Sequence, residues 1–341
     1  MNTGISIPSA PLSIAWNFTY SCNMNCEHCY SRTEQGKELT NEEQEYVTKQ
    51  LIKAKILHIN FGGGEPLIRP SFFFIAQLAK KFGIGISLSS NGWLIDNRVA
   101  KSLASIKVDV VSISIDSTNP EKHDKFRNCS GSFNRAIEAI KLLKQQGLKV
   151  KIFSVLSKIN YKEVKELIKL AETLEVDELL FKNYKPAGKG LINVDRYDLT
   201  PQEWEKVYKK LIKFQRHSKV NIGLGAEPLL HLLSESPSEN DENQSLIRGA
   251  PCGKLSLCIK PNGDITPCAY VNLVLGNMLK DDLLYIWQNS PILYQLRNKK
   301  PTGKCTKCPN FEWCQGGCFA AAYNTSGCID APDPHCWWQP N

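Results

Sequence analysis

Short apolar stretches alternate with stretches of helical periodicity over the first half of the chain. Strands rich in β-branched and aromatic residues are predicted at 12–20, 56–61, 84–89, 108–115, 149–156 and 176–181. Helices are predicted between them, at 40–53, 71–81, 97–105, 133–146 and 161–174. The first helix opens on Thr40 and Glu43, which have capping-box spacing, and the fourth ends at Gly147. Strands that alternate with helices form a mainly parallel sheet with right-handed crossovers.

The alternation stops after about six units, whereas a closed barrel of this class needs about eight. The pattern therefore predicts an α/β fold with an open or partial (β/α)6 barrel. In such sheets the chemistry lies at the carboxyl ends of the strands. Polar or glycine-rich segments directly follow predicted strands at 22–29, 62–66, 89–92 and 116. We expect these segments to converge on one site.

The composition changes twice in the C-terminal half. A helix is predicted at 201–216, and the polar, acidic stretch 234–245 is typical of a linker or mobile loop. From Cys252 onward glycine, proline and cysteine dominate, and helical periodicity persists only at 281–296. We expect a partial barrel at 1–200, a helical bridge with the linker at 201–249, and a small metal-centred domain at 250–341.

The 341 residues are 42% apolar and 22% charged, the balance of a folded protein. No apolar run is long enough to cross a membrane, and the N-terminus lacks the pattern of a secretory signal. We therefore expect a cytoplasmic protein that does not bind membranes. The net charge is +8, but the lysines are spread along the helical segments. This favours a solvated surface over a nucleic-acid site.

Thirteen cysteines decide the class of chemistry. Cytosolic thiols stay reduced, so tight, repeated cysteine spacings indicate metal or cluster ligation and not a disulfide framework. Cys22, Cys26 and Cys29 form a C-x3-C-x2-C pattern. Three thiolates can hold three irons of a [4Fe–4S] cluster and leave the fourth iron open to another ligand. The alternative is a zinc site with His28 as the fourth ligand.

This triplet after the first strand resembles the hallmark of the radical S-adenosylmethionine (SAM) superfamily. The resemblance implies that the open iron binds the amino and carboxylate groups of SAM, and that one electron from the cluster releases a 5′-deoxyadenosyl radical. The run from Gly62 to Pro66 matches the family's GGEP motif after the second strand.

The resemblance also implies a set of SAM contacts. Tyr30 corresponds to an aromatic residue near the adenine, Asn91 and Ser114 face the ribose or methionine part, and Arg127, expected in a loop after the fourth strand, pairs with the SAM carboxylate. For Asn91, a plain strand-end cap is the alternative. The implied cofactor-binding residues are Tyr30, Gly63, Gly64, Glu65, Asn91, Ser114 and Arg127.

The C-terminal cysteines resemble the SPASM extension of radical SAM enzymes, which carries two auxiliary [4Fe–4S] clusters. The PNGD turn at 261–264, before a predicted short strand, is part of the match. The resemblance implies two complete ligand sets, and with the first cluster it implies three in all. One set is Cys252, Cys258, Cys268 and Cys318, and the other is Cys305, Cys308, Cys314 and Cys336. Two structural zinc sites are the alternative.

Three further features bear on the resemblance. Cys129 and Cys328 are left over as plain thiols, although Cys328 could be an alternative ligand. The run 185–190 resembles a glycine- and lysine-containing segment of SPASM enzymes, and its two lysines could line the site mouth or form a solvated turn. Sulfatase-maturing relatives carry an aspartate where this chain has Ala269, which disfavours that activity.

The resemblance implies a peptide maturase. It would abstract hydrogen from a residue of a ribosomally synthesised precursor peptide and lead to a crosslink (C–C, C–S or C–O), an epimer or a backbone cut. The alternatives are a small-molecule enzyme acting on haem precursors and a non-catalytic electron-transfer protein. Because the sheet begins by Leu12, we expect a separate small peptide-recognition protein as partner. A flavodoxin- or ferredoxin-type protein would supply electrons.

Overall fold

The computed structural model describes residues 7–31, 33–225, 227–233 and 248–340. In this part of the chain ten strands form one sheet, and the first seven run parallel. They are β1 (Ser13–Thr19), β2 (His58–Gly63), β3 (Gly85–Ser90), β4 (Val110–Ser114), β5 (Val150–Leu156), β6 (Glu178–Asn183), β7 (Asn221–Gly223), β8 (Ser256–Ile259), β9 (Asp264–Thr266) and β10 (Gly276–Asn277). The strand order across the sheet is β10-β9-β8-β1-β2-β3-β4-β5-β6-β7.

Helices connect the parallel strands and cover the outer face of the sheet. Those of the barrel and bridge are α1 (Asn41–Lys53), α2 (Ser71–Lys81), α3 (Asn97–Ile106), α4 (Pro120–Arg127), α5 (Ser132–Gln145), α6 (Val164–Thr173), α7 (Lys189–Ile192), α8 (Val194–Tyr197) and α9 (Pro201–Gln215). The C-terminal part adds α10 (Leu283–Asn289), α11 (Pro291–Arg297), α12 (Phe311–Cys314) and α13 (Phe319–Ser326).

The predicted partial barrel is confirmed. β1 to β6 follow one another across the sheet in chain order, while β7 and β10 form its two edges. The core lies between the sheet and its helices, where Trp16, Phe18, Phe61 and Phe72 pack edge-on or stacked with ring centroids 5.3–6.2 Å apart. Within the described residues, no helix is long and apolar enough to cross a membrane.

The C-terminal part continues the same sheet. β8 pairs in parallel with β1, with Ser256 opposite Ser13, and β9 turns back antiparallel after the PNGD turn. The outer edge of the barrel is therefore extended by the strand that carries Cys258. This pairing brings the C-terminal cysteines to the side of the barrel where the first cysteine segment begins.

Three sequence predictions about elements need correction or comment, and one strand was missed. The segment containing Arg127 was expected to be a loop but is helix α4, which begins with Asn119 as N-cap and Pro120. The predicted helix at 281–296 is two helices, because Pro291 cannot continue α10 and Ser290 caps α11. Strand β7 was not predicted. The predicted linker at 234–245 lies outside the described residues.

Candidate active site at the ends of the parallel strands

The first cysteine segment leaves the end of β1 and turns back on itself over eight residues. The backbone N–H of Met24 donates to Sγ of Cys22 at 3.4 Å, and Cys26 is buried at 8% exposure. The pKa of Cys26 is raised to about 12, chiefly by burial and also by the charges of Cys29 and Cys22, while the charge of Arg127 lowers it. All three thiols of the triplet therefore lie within electrostatic reach of one another.

The glycine run at the end of β2 is bound to this segment through its backbone. The N–H of Gly64 donates to the carbonyl of Thr19 at 2.8 Å, and that of Glu65 donates to the carbonyl of Ser21 at 2.9 Å. A Cβ on Gly64 would lie 2.1 Å from the Ser21 oxygen, while Gly63 has a φ of +101°. Only glycine permits this approach. The structure thus forms a side-chain-free cradle beside the cysteines.

Glu65 does not face this cradle with a free carboxylate. It is 1% exposed and accepts hydrogen bonds from the Ser90 hydroxyl at 3.0 Å and the Asn91 N–H at 2.9 Å. Burial raises its pKa to about 7, although these hydrogen bonds lower it. Glu65 therefore joins the ends of β2 and β3, and any part it plays in binding a cofactor is through the position of its neighbours.

Asn91 reaches the cysteine segment from the end of β3. Its side-chain Nδ2 donates to Oδ1 of Asn23 at 2.9 Å and lies 3.9 Å from Sγ of Cys22. Ser114 ends β4 with its side chain half-buried. Both residues therefore lie at strand ends on the side where the cysteine segment sits.

Arg127 forms a buried ion pair behind the triplet. Its Nε donates to Oδ2 of Asp116 at 2.7 Å, its Nη2 lies 2.6 Å from the same oxygen, and its Nη1 lies 4.0 Å from Sγ of Cys26. Asp116, at 0% exposure, also accepts from the N–H of Val155. One edge of the guanidinium is thus held by Asp116, and Nη1 is directed at the cysteine.

Tyr30 links the triplet to the C-terminal part. Its hydroxyl donates to Oδ1 of Asn17 at 3.0 Å, and its ring meets that of Tyr270 edge-on with centroids 4.8 Å apart. Asn17 and Tyr270 were not among the residues predicted from the sequence. Asn17 could have been found, because it is a polar residue flanked by Trp16 and Phe18 within a predicted buried strand. For Tyr270 the sequence offered no signal beyond its position two residues after Cys268.

The first set of auxiliary cysteines comes together from four separate segments. A hydrogen bond from the Cys252 thiol lowers the pKa of Cys268 to about 7. The pKa of Cys252 is raised chiefly by the same hydrogen bond and by burial, and to a smaller extent by the charges of Cys268 and Cys318. The pKa of Cys258 is raised to about 12, chiefly by burial and also by the charge of Cys268, while the charge of Lys260 lowers it. The structure therefore brings all four of these thiols together.

The second set also converges. The pKa of Cys314 is raised to about 12, chiefly by burial and then by the charges of Cys308, Cys305 and Cys336. Cys328 is exposed and Cys129 is half-buried. Among the described residues, no three histidine, cysteine or acidic side chains are arranged to hold a single metal ion.

The run 185–190 does not line an open mouth with free lysines, nor is it a solvated turn. Nζ of Lys185 lies 3.5 Å from Oε2 of Glu227. Nζ of Lys189 donates to the carbonyl of Asn25 at 3.2 Å, and its backbone N–H donates to the carbonyl of Cys29. A Cβ on Gly188 would lie 2.4 Å from the backbone carbonyl oxygen of Tyr30. The run therefore packs directly on the cysteine segment.

The chemistry of these residues fits the cofactors that the sequence implied. Three thiols on one segment leave a fourth cluster position open, the glycine cradle beside them offers backbone groups, and Arg127 supplies a positive charge next to Cys26. Two further sets of four thiols lie in the C-terminal part of the chain. These sites are suited to iron–sulfur clusters.

Comparison with known proteins agrees with this geometry. The radical SAM superfamily model matches residues 16–171, and the model of the iron–sulfur cluster-binding SPASM domain matches residues 251–309. Mycofactocin maturase MftC of Mycolicibacterium smegmatis is 30% identical over 338 residues, which cover 96% of this chain and 83% of that protein. An AdoMet-dependent heme synthase of Methanosarcina barkeri is 27% identical over 350 residues, covering 98% of this chain and 99% of that protein.

A solved structure shares the fold over nearly the whole chain. The crystal structure of Streptococcus suis SuiB bound to the precursor peptide SuiA superimposes with a TM-score of 0.81 at 21% sequence identity, covering 97% of this chain and 77% of that one. The family models, the relatives and the grouped cysteines lead to one conclusion. The chain belongs to the radical SAM superfamily, and is a radical SAM enzyme with a SPASM iron–sulfur domain.

Proposed function

We propose that this enzyme modifies a residue of a ribosomally synthesised precursor peptide. SAM bound at the first cluster would supply a 5′-deoxyadenosyl radical that takes hydrogen from an unactivated C–H bond. The outcome would be a crosslink, an epimer or a backbone cut. The 30% identity with mycofactocin maturase over 96% of the chain supports a peptide substrate.

The residues at the strand ends have separable tasks in this proposal. Cys22, Cys26 and Cys29 would hold the first cluster, while the Gly63–Gly64 backbone would receive the amino end of SAM. Arg127 would pair with the SAM carboxylate beside Cys26, as its Nη1 lies 4.0 Å from that sulfur. A reactive radical needs a site from which water is excluded. Tyr30 and Tyr270 would contribute to this, because their rings meet edge-on beside the third cysteine of the triplet, with centroids 4.8 Å apart.

The two sets of four cysteines would hold two auxiliary [4Fe–4S] clusters. All eight thiols are used, so neither cluster needs an open iron. Lys182 on β6 lies over the Phe153 ring at 5.8 Å, and its charge reaches Cys252 and Cys268. A cation on the barrel wall would therefore stand between the substrate space and the first auxiliary set.

A haem-precursor substrate is the second candidate. It is favoured by the heme synthase relative, which this chain covers over 99% of its length. The lysines that could have bound tetrapyrrole carboxylates are engaged, however. Lys185 faces Glu227 and Lys189 binds the Asn25 carbonyl. These contacts of Lys185 and Lys189 are the observation that favours a peptide substrate over a tetrapyrrole.

Substrate class is tested on anaerobically reconstituted enzyme with SAM and dithionite. Candidate short peptides encoded beside the gene are compared with an iron porphyrin bearing propionate side chains. We expect SAM cleavage to be coupled to a mass change in a peptide. The variant with Cys22, Cys26 and Cys29 all changed to Ala is the control, and it should modify neither. Modification of the porphyrin with no peptide altered would overturn the proposal.

Two protein partners belong to the proposal. A separate small recognition protein would present the precursor leader by adding it as a strand to a sheet edge, and a flavodoxin- or ferredoxin-type protein would deliver the electron. Because the chain carries a net charge of +8, an acidic leader should bind more weakly as salt rises. Co-purification from the native gene cluster tests the first partner. Equal rates on a leaderless core peptide and on the full precursor would contradict it.

A further inference from the structure

Two lysines, Lys254 and Lys299, lie beside the segments that carry the auxiliary cysteines and have no part in the proposed ligation. Nζ of Lys299 is buried and, among the described residues, has no hydrogen-bond partner. Lys254 is 7% exposed, and its Nζ donates to the Arg248 carbonyl at 2.7 Å. Lysine is almost never fully buried unless it is paired. A buried ammonium group that makes no hydrogen bond therefore points to a missing negative partner.

The two side chains share one small cavity, which has room for about one water molecule. Cys252 of the first set and Gly317, next to Cys318, line the same cavity. A Cβ built on Gly316 would lie 3.2 Å from Nζ of Lys299. The ammonium group of Lys299 therefore lies against the loop between Cys314 and Cys318, which carries one cysteine of each set.

The electrostatics of Lys299 agree with this position. Burial lowers its pKa, whereas the charges of Asp330, Asp333, Cys305 and Cys318 raise it. Cys305 belongs to the second set and Cys318 to the first. The two aspartates have other partners, because Asp330 accepts from Gln295 and Asp333 accepts from the N–H of Cys318. The ammonium group of Lys299 is therefore within electrostatic reach of these two aspartates and of one cysteine of each set.

We propose that Lys299, supported by Lys254, is a shared counter-charge for the two auxiliary clusters and raises the reduction potential of both. The inference rests on the proposed ligation of two clusters by the eight cysteines. A cluster held by four thiolates becomes more negative when it takes up an electron. A fixed positive charge in a low-dielectric interior stabilises that reduced state. The same charge, close to both sets, would keep their potentials near each other.

The test measures reduction potentials and not turnover. Lys299→Met removes the charge, Lys299→Arg keeps it, and Lys300→Met removes the charge of the exposed neighbouring lysine as a matched control. All are made in the background that lacks Cys22, Cys26 and Cys29, so that only the auxiliary clusters contribute. Iron per chain is measured first. The clusters are then titrated with dithionite and followed by electron paramagnetic resonance.

At a solution potential equal to the reference midpoint, we expect Lys299→Met to lower the ratio of reduced to oxidised auxiliary clusters about tenfold. That change corresponds to about 59 mV for a one-electron couple. Lys299→Arg and Lys300→Met should leave the ratio near that of the reference. An unchanged ratio in Lys299→Met at equal iron content would overturn the inference. So would equal shifts in all three variants.

Two further outcomes are decisive. If Lys299→Met loses iron, Lys254→Met is titrated instead, and a midpoint equal to the reference in that variant would overturn the shared role. If the reference, which lacks only Cys22, Cys26 and Cys29, holds about four irons per chain, the proposed ligation of two auxiliary clusters is wrong, and the shared counter-charge is wrong with it. The iron content separates this failure from a failure of the counter-charge alone, before any potential is measured.

Discussion

Nε2 of His335 lies 2.7 Å from Oδ2 of Asp198, a contact between side chains 137 residues apart. On the other side of the ring, Nδ1 of His335 lies 3.3 Å from Oδ1 of Asp333. Burial opposes the charged imidazole, but Asp333 and Asp198 raise the pKa of His335 to about 10. Asp333 in turn accepts from the N–H of Cys318. The pair therefore connects the barrel to loops that carry cysteines of both auxiliary sets.

Changing His335 to Gln should destabilise the protein by about 3–5 kcal/mol, because it leaves two buried carboxylates without their cation. Denaturant unfolding of the reconstituted enzyme measures this. His217→Gln is the control, since His217 is exposed. Stability equal to wild type in His335→Gln would show that the contact does not hold the two parts together.

Anaerobic reconstitution should give about 12 irons per chain, because three cubes of four are implied by the three cysteine groups. Changing Cys22, Cys26 and Cys29 together to Ala should leave about eight and abolish SAM cleavage. Iron and sulfide analysis checks both values. An iron content near four in the triple variant would contradict two auxiliary clusters.

The glycine cradle offers a matched pair of substitutions. Gly64→Ala should strongly weaken SAM binding, because the new Cβ would lie 2.1 Å from the Ser21 carbonyl oxygen and force the backbone apart. Gly62→Ala should be tolerated, because its Cβ would lie 3.8 Å from Cβ of Ser89, an ordinary contact. Calorimetric SAM titration of both variants compares them. Equal affinities would show that the cradle does not position SAM.

Arg127→Ala should weaken SAM binding by about 1.5–3 kcal/mol, because the proposed charge-assisted pair between Arg127 and the SAM carboxylate is lost. The iron content should be unchanged. The same change leaves Asp116 buried and unpaired, which lowers stability separately. The double change Arg127→Met with Asp116→Asn removes both charges together. It should restore much of the stability but not the affinity. A SAM affinity equal to wild type in the double variant would show that Arg127 does not contribute to SAM binding.

Glu65 should make stability depend on pH. Its folded pKa of about 7 lies above the ordinary value of 4.5, so the folded state holds the proton more tightly between those pH values. Its contribution is therefore present at low pH and is lost as pH rises through this window. From pH 6 to pH 8 the unfolding free energy should fall by about 1 kcal/mol on its account.

The check on Glu65 is a difference between variants. Glu65→Gln should remove that part of the pH dependence, while Glu121→Gln, at an exposed position, should keep it. Unfolding of reconstituted protein at both pH values gives the two differences. The same pH dependence in Glu65→Gln as in wild type would contradict the assignment.

Much of the barrel could be predicted because its signals are local. Helix α1 begins at the predicted capping box of Thr40 and Glu43, and α2 has the predicted bounds. The misses also have local reasons. Asn119 and Pro120 signal the start of α4, but α4 is polar and its apolar periodicity is weak. The three residues of β7 are too few for a periodic pattern.

The sequence by itself determined the alternation of strands and helices and the family to which the chain belongs. These follow from periodicity and from cysteine spacing, which act over a few residues. Only the tertiary structure decided that Lys185 faces Glu227, that Tyr30 meets Tyr270, and that Lys299 lies against the loop between Cys314 and Cys318. The last two depend on β8 pairing with β1 and on packing of the C-terminal loops. Contacts between residues far apart in the chain are set by strand register and packing, and no local pattern records them.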